Sequence, residues 1–451
     1  MFFKRKIYAE LLEWKKLSHG TSALLIEGAR RIGKSTVTEE FAKNEYDDYL
    51  ILDFTRENSD IKRNFQDNLD NLDVFFRNLF LLKGRTNLKE RKSLIIFDEV
   101  QLFPLARQAI KYLVKDGRYD YIETGSSISI KKHVKDILIP SEETKLKMYP
   151  MDFEEFLWAQ GDSITMSAIR DAFESRKPLG DAIHRKIMTS FRTYMAVGGM
   201  PQAVEALTQG RSYQEIDFVK RNILSLYEDD LRTYDKENHT KASAMFRAIP
   251  EQLSSHNSHF KLSSIDKNAR IKNCMNTIDC ISESMMANKC LNITDPEISL
   301  ALYTDQTNFK LYMGDTGLLV TQIMKTSKQV EKNLYKSLIF DKLGINQGLI
   351  MENAVAQMLK SRGYDLYFHE FLYQSSNSEK TRKYEIDFIT VRNNHIVPIE
   401  VKSSGYRNHK SFDYFSEKYP IKINERFLIY TKDLAREGNI TYLPIYMTGL
   451  L

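Results

Sequence analysis

Along the first third of the chain, short unbroken apolar runs alternate with stretches of helical period. The apolar runs are SALLIEG (22–28), YLILDFT (49–55), SLIIFDEV (93–100) and YDYIETGSS (119–127). KSTVTEEFAKN (34–44) between them has the spacing of a helix, and LKMYPMDFEEFL (146–157) supplies a fifth strand and the entry to a further helix. Continuous apolar strands separated by helices predict a parallel sheet covered on both faces. Beyond about residue 155 the period becomes helical. SYQEIDFVKRNILSLYEDDLRTY (212–234) carries an apolar stripe at helical spacing, and YMAVGGMPQAVEAL (194–207) breaks the helices with two glycines and Pro201. That break reads as a packed bend. Residues 241–320 read as short helices followed by two strand-like runs around NFKLYMGDTGLL (308–319), a pattern that suits a winged-helix module, with Asp315 in a turn between strands.

The last part is mixed. LIMENAVAQMLKSRG (349–363) is a helix stopped by Gly363, YDLYFHEFLY (364–373) is strand-like, and KYEIDFITVRNNHIVPIEVKSS (383–404) is a β-hairpin about an Asn-Asn turn. A helix, KSFDYFSEKYP (410–420), and a strand, ERFLIYT (425–431), follow. The pattern therefore predicts an α/β chain in four parts: a P-loop NTPase core with a parallel sheet (1–155), a helical lid (156–240), a winged-helix-like segment (241–325) and a mixed α/β terminal domain (326–451).

Composition changes this picture little. The chain has 451 residues, 42% hydrophobic and 28% charged, which suffices for several cores. A net charge of +5 permits nucleic acid as a partner without demanding it. Cys274, Cys280 and Cys290 fit no zinc or redox spacing and read as reduced thiols of a cytoplasmic protein. No apolar run approaches the ~18 residues of a membrane span, and the N-terminus MFFKRKIYAELLEWKK reads as an amphipathic helix rather than a secretory signal.

The chemistry begins at GARRIGKS, Gly28, Ala29, Arg30, Arg31, Ile32, Gly33, Lys34 and Ser35, which fits GxxxxGK[ST] between a strand and a helix. Glycines there let backbone N–H groups wrap phosphate oxygens. Thr36 continues the helix start, Lys34 can neutralise β- and γ-phosphate charge, and the Ser35 hydroxyl can bind Mg2+. The cofactors expected are ATP and Mg2+. Asp98 ends SLIIFDEV on what reads as a neighbouring strand, where it can hold Mg2+. Glu99 can polarise an attacking water. Thr124, Ser126 or Ser127 in ETGSS can reach the γ-phosphate or that water.

These motifs, with YPMDFEEFL, YMAVGGMPQAV, IPEQL, FKLYMGDTGLL, MENAVAQMLK and EIDFITV…VPIEVKS, resemble the prokaryotic AAA+-type P-loop ATPases that carry a C-terminal domain of unknown function with a restriction-endonuclease-like fold. The resemblance covers nearly the whole chain. It implies an AAA+ core, a helical lid, a winged-helix-like segment and a nuclease-like terminal domain, with Thr124 or Ser126 at the sensor position. One departure stands out. The family usually has a Gly-Arg pair before YPMDFEEF, and here PSEETKLKMYP has no arginine. Arg30, Arg31, Arg192 or a neighbouring subunit remain as sources of that charge.

In the terminal hairpin, Asp387, Glu400 and Lys402 match the PD-(D/E)XK phosphodiesterase pattern, and Glu352 joins them by analogy. In that chemistry carboxylates such as Asp387 and Glu400 hold a metal against a scissile phosphate, and the lysine orients or deprotonates water. KSSGYRNHK (402–410) and KKHVK (131–135) mix cations with an aromatic residue in a way that suits phosphate contacts with stacking. The histidines show no zinc spacing. The function expected is Mg2+-dependent ATP binding and hydrolysis coupled to a DNA-directed terminal domain. The alternatives are a nucleotide-gated metal-dependent nuclease and a nucleotide-switched binding regulator, with a homo-oligomer or a partner protein left open.

Overall fold

The computed structural model describes residues 2–86, 88–126, 140–234, 241–254, 260–262, 271–324, 335, 337–338, 347–374, 380–420, 423 and 425–451. KKHVK and Ser127 lie outside them. The chain forms two compact units, residues 1–149 with 283–285, and residues 150–282 with 286–451.

The first unit is built on five strands: β1 (Ala23–Gly28), β2 (Asp48–Asp53), β3 (Ser93–Asp98), β4 (Asp120–Ser126) and β5 (Glu143–Lys147). All pairings are parallel, in the order β2-β3-β4-β1-β5. The parallel sheet is the one the apolar runs predict. Its order is not. Asp98 was expected on a strand neighbouring the P-loop strand, but β4 lies between β1 and β3, so Thr124 stands between the two motifs. β5 also starts earlier than expected, at Glu143. Under one face a phenylalanine-rich core gathers Phe54, Phe65, Phe75, Phe97 and Tyr121 with the helices Ser59–Asn68, Leu72–Leu82 and Pro104–Asp116. Each fully buried ring of this kind contributes roughly 1.5–3 kcal/mol, and edge-to-face contacts such as Phe65–Phe75, at 4.9 Å and 76°, fix their orientation.

The second unit contains a helical layer and an eight-stranded mixed sheet. The sheet comprises β6 (Ala287–Ile293), β7 (Thr304–Met313), β8 (Leu366–Tyr373), β9 (Arg382–Arg392), β10 (His395–Val401), β11 (Arg426–Tyr430), β12 (Ala435–Glu437) and β13 (Ile440–Pro444). Its order is β12-β13-β11-β10-β9-β8-β6-β7. The β9–β10 hairpin turns at Asn393 and Asn394, both with positive φ, as an Asn-Asn turn of this type requires. β6 and β7 fall in the stretch read from sequence as a winged-helix-like segment, yet they are strands of the terminal sheet. Asp315 also differs from its reading as a turn between strands. It lies two residues beyond the end of β7 and caps the helix Thr316–Ile323, accepting from the Leu318 N–H at 3.0 Å.

The glycine-rich break is a packed bend, as read. A Cβ on Gly199 would lie 2.0 Å from the Met151 carbonyl oxygen, and one on Gly317 would lie 2.3 Å from that of Val197. Asp315 accepts the Gly199 N–H at 2.6 Å, and buried Lys220 donates to the carbonyls of Ala196 and Gly317 at 2.7 and 3.1 Å. The two sequence motifs VGGMPQ and GDTGLL thus lock one backbone crossing. Among the described residues no helix is long and apolar enough to cross a membrane.

Candidate functional site

The first candidate site lies where β1 runs into the helix Lys34–Glu45. The loop between them needs two left-handed residues, Arg31 (φ 67°) and Gly33 (φ 96°). Gly28 has no room for a side chain: a Cβ would lie 2.4 Å from Ile32 Cδ1 and 2.5 Å from the Met148 carbonyl oxygen. The result is a tight curl of backbone at a helix N-terminus, the geometry that offers N–H groups and partial positive charge to phosphate. Ala29 and Ile32 are buried beneath it, and Arg30, Arg31, Ser35 and Thr36 are exposed. The Lys34 ammonium donates to the carbonyls of Gly28 and Ala29 at 3.0 and 2.9 Å, which places it within the curl.

Three strand ends converge beside the loop. Ser35 Oγ donates to Asp98 Oδ1 at 2.7 Å, and Thr124 Oγ1 donates to the same oxygen. The Glu99 backbone N–H reaches Thr124 Oγ1 at 3.4 Å. Glu99 itself has φ 54°, a strained value for a residue with a side chain, costing about 1–3 kcal/mol. Gln101, to which sequence reading gave no role, donates its side-chain amide to the Glu99 carboxylate. Its signal was its place two residues beyond the acid, in LIIFDEVQ. Ser126 ends β4 and is buried beside Gly28 in register.

The stretch without its expected arginine has a different content. Glu143 of β5 forms a buried ion pair with Arg107, which donates through Nε and Nη2 at 2.9 and 2.8 Å. Glu143 is level with Ala23, five residues before Gly28, so this pair sits about 16 Å from the loop. Arg107 is therefore no substitute for the missing charge. Glu123 of β4 lies against the same pair and is fully buried. Burial pushes its carboxyl well above the usual range, and Glu143 adds to the shift.

The second candidate site is in the terminal sheet. Asp387 and Glu400 come from β9 and β10 of the hairpin, Lys402 follows β10, and Glu352 comes from the helix Gln347–Ser361. The structure brings all four together and adds two residues that sequence reading missed, Lys310 of β7 and Glu385 of β9. Lys310 Nζ lies 2.5 Å from Glu385 and 3.4 Å from Glu352, and the Tyr312 hydroxyl also donates to Glu352. Lys402 lies 3.3 Å from Glu400. One Asp387 oxygen accepts the Val401 N–H at 2.8 Å. Glu385 was findable, because it precedes Asp387 by two on a strand and so shares its face. Lys310 was not, because two strands separate β7 from β9.

Burial pushes Asp387 up to about 6, with Glu352 adding to it, and pushes Glu385 and Glu400 up to about 7. Burial would lower Lys310, but Glu352, Glu385 and Asp387 more than offset it and hold the ammonium charged. Sequence reading gives Asp387 and Glu400 to a metal ion. The structure places an ammonium between Glu352 and Glu385, beside that pair, and among the described residues no three His, Cys, Asp or Glu side chains are grouped to hold a metal. As arranged, Lys310 is held between two of the four carboxylates and Lys402 lies beside a third.

Residues 20–157 match the AAA domain family, residues 188–329 match a domain of unknown function (DUF8612), and residues 347–447 match another domain of unknown function (DUF4143). No curated protein matches the chain. Among solved structures it is similar to the Walker-type ATPase PABY2304 of Pyrococcus abyssi, at 13% identity over 71% of this chain and 96% of that one, with a TM-score of 0.40. It is also similar to the Drosophila ORC bound to DNA (12% identity, 73% and 97% covered, TM-score 0.26). Protein VC1899 from Vibrio cholerae is a third (12% identity, 85% and 88% covered, TM-score 0.15). At such scores these three likenesses carry no argument. The AAA match and the loop geometry do: the first unit is an AAA-type P-loop ATPase core.

Proposed function

We propose that this chain is a Mg2+-dependent ATPase whose AAA-type core acts on a terminal domain directed at nucleic acid. The observation that carries the first half is the shared oxygen of Asp98, which receives both Ser35 and Thr124 at the mouth of the P-loop. The donor set fits its expected ligands. A hydroxyl and a carboxylate suit a hard cation, and the curl around Gly28 and Gly33 suits phosphate. Ser35 and Asp98 would hold Mg2+, whose charge offsets that of the phosphates. Lys34 binds the β- and γ-phosphates. Glu99, held by Gln101, orients the attacking water and accepts its proton. Thr124 fixes Asp98 and the backbone of Glu99 relative to each other.

The second half rests on the terminal hairpin, whose EIDF and EVK stretches resemble the restriction-endonuclease-like fold, and on its basic, aromatic continuation. Lys310, held by Glu352 and Glu385, favours a terminal domain that does not cut. A nucleotide-switched binding protein is therefore the second reading. ATP turnover measured with and without single- and double-stranded DNA tests both. Turnover that DNA stimulates supports coupling. ATP bound stoichiometrically without multiple turnover supports the switch. Absence of ATP binding refutes both.

A further inference from the structure

Apart from the acid cluster, the terminal domain has a concave feature that takes in part of the basic, aromatic stretch 402–410. It is a half-open pocket of about 590 Å³ between the segment following Lys402 and the β11–β12–β13 end of the sheet. Its volume falls within the usual range for a small-molecule site. Three tyrosines and three permanent cations define it.

Tyr430 and Tyr442 form the base. Their rings are 5.7 Å apart, and Tyr406 stands over both, 5.4 Å from Tyr430 at 72° and 6.3 Å from Tyr442 at 82°. Two hydroxyls are already used. Tyr430 donates to the Asp433 carbonyl, and Tyr442 donates to Glu437 at 3.3 Å. These bonds fix the aromatic floor. Tyr406 is half-exposed at the rim.

Arg407, Lys432 and Arg436 line the same pocket, and all three are exposed. Among the described residues neither Arg407 nor Lys432 pairs with a carboxylate. Arg436 makes one bond, from Nε to the Gly438 carbonyl at 3.3 Å, which leaves its terminal nitrogens to the pocket. His409 adds a ring whose Nδ1 is engaged by Asp413 at 3.1 Å. Among the described residues the one acid in the lining is Glu437, which already accepts from Tyr442. Three cations around one concavity lined by rings concentrate positive potential there. A ligand that satisfies both features has an anionic group for the guanidinium and ammonium heads and a flat ring for the tyrosines. An acidic peptide would use the charges and leave the rings unused. A duplex would present phosphates and keep its bases stacked away from Tyr406.

We propose that this pocket binds one phosphate together with one unstacked base, as presented by a single nucleotide unit. The unit can come from a single-stranded nucleic acid or from a free nucleotide. β11 pairs directly with β10, the strand that carries Glu400, so a bound strand would lie alongside the acid cluster. The strand form of the proposal rests on the nucleic-acid reading given above. The free-nucleotide form does not.

The test uses the full-length chain carrying Lys34→Ala, so that the P-loop does not contribute nucleotide binding. Fluorescence anisotropy with a labelled single strand of about 12 nucleotides and a duplex of the same length, and direct titration calorimetry with thymidine monophosphate, give the affinities. The proposal expects the single strand to bind more tightly than the duplex. Arg407→Glu with Lys432→Glu should weaken single-strand binding at least ~10-fold and flatten its salt dependence. Tyr406→Ala should weaken it several-fold with the salt dependence kept, because it removes stacking and no charge. Circular dichroism confirms that each variant is folded, and Tyr406→Phe, which keeps the ring, should bind like the parent. If thymidine monophosphate binds and Arg407→Glu/Lys432→Glu abolishes that binding while no strand binds, the pocket stands and the nucleic-acid reading falls. Equal affinity for strand and duplex, an unchanged affinity in the charge-reversed variant, or no binding of either ligand would overturn the proposal.

Discussion

Ser35 and Thr124 meet at a single oxygen, Oδ1 of Asp98, although they come from a helix start and from the strand between the two motif strands. This makes Thr124 a positioning residue. Thr124→Val keeps the shape and removes the hydroxyl. Turnover should fall ~10–100-fold, an effect of the size expected when a group in a preorganised site is lost. The KM for ATP should change only a few-fold. A parallel loss of ATP affinity would instead place Thr124 in nucleotide binding.

Gln101→Leu releases the Glu99 carboxylate from its one side-chain partner among the described residues. The strained backbone of Glu99 would remain, but its side chain would lose its aim. We expect kcat to fall ~10-fold or more with ATP binding unchanged, measured by steady-state turnover beside equilibrium titration. Loss of ATP binding would contradict this.

Glu123 carries its carboxyl well above the ordinary range in the folded protein because it is buried. The folded state therefore binds a proton that the unfolded state releases near the ordinary carboxylate value. Stability is highest below that value and declines as pH rises toward the folded pKa. Glu123→Gln keeps the shape and removes the titration. It should flatten this decline and raise the melting temperature of the P-loop unit at pH 8 relative to wild type. Thermal melts at pH 5 and pH 8 check it, and an equal slope in both proteins would refute it.

The sequence made some of this legible and hid the rest for identifiable reasons. The P-loop could be read because its glycines, lysine and serine are contiguous, and Asp98 and Glu99 because they end an apolar run. The place of β4 between β1 and β3 could not be read, since local pattern does not set strand order in a parallel sheet. Glu123 was hidden in YIETGSS because it occupies a core-facing position where an apolar residue is the norm, and only the Arg107–Glu143 pair explains it. Lys310 reaches Glu385 from 75 residues away, across strands whose neighbourhood the sequence does not reveal. β7 looked like part of a wing, and β6 was not read at all, because local pattern does not show that the two pair at the edge of a large sheet.

Gly199 is a position of pure geometry. Gly199→Ala would drive its Cβ into the Met151 backbone at 2.0 Å, and backbone cannot move aside as a side-chain tip can. The second unit should lose about 1–3 kcal/mol of stability or more, read as a lower denaturant midpoint. ATP affinity of the first unit is the control. An unchanged midpoint would show that the crossing is not as tight as described.

The terminal cluster should bind no Mg2+ or Mn2+ in the millimolar range while Lys310 sits between Glu352 and Glu385. Lys310→Met removes a cation that itself holds Asp387 and Glu385 down, and should either gain Mn2+ affinity or lose stability as pH rises above about 6 to 7, the values these acids have with Lys310 present. Mn2+ titration followed by electron paramagnetic resonance, in a Lys34→Ala background without nucleotide, separates the outcomes. Tight Mn2+ binding by the chain with Lys310 intact, lost in Glu400→Gln, would refute this.

The most direct test of the central claim is steady-state ATP turnover with Mg2+ for the wild-type chain beside Lys34→Ala and Glu99→Gln. The account predicts multiple turnovers by wild type. Lys34→Ala should lose both binding and turnover, and Glu99→Gln should keep ATP binding while turnover falls ~100-fold or more. Turnover by Lys34→Ala or Glu99→Gln at the wild-type rate would contradict it.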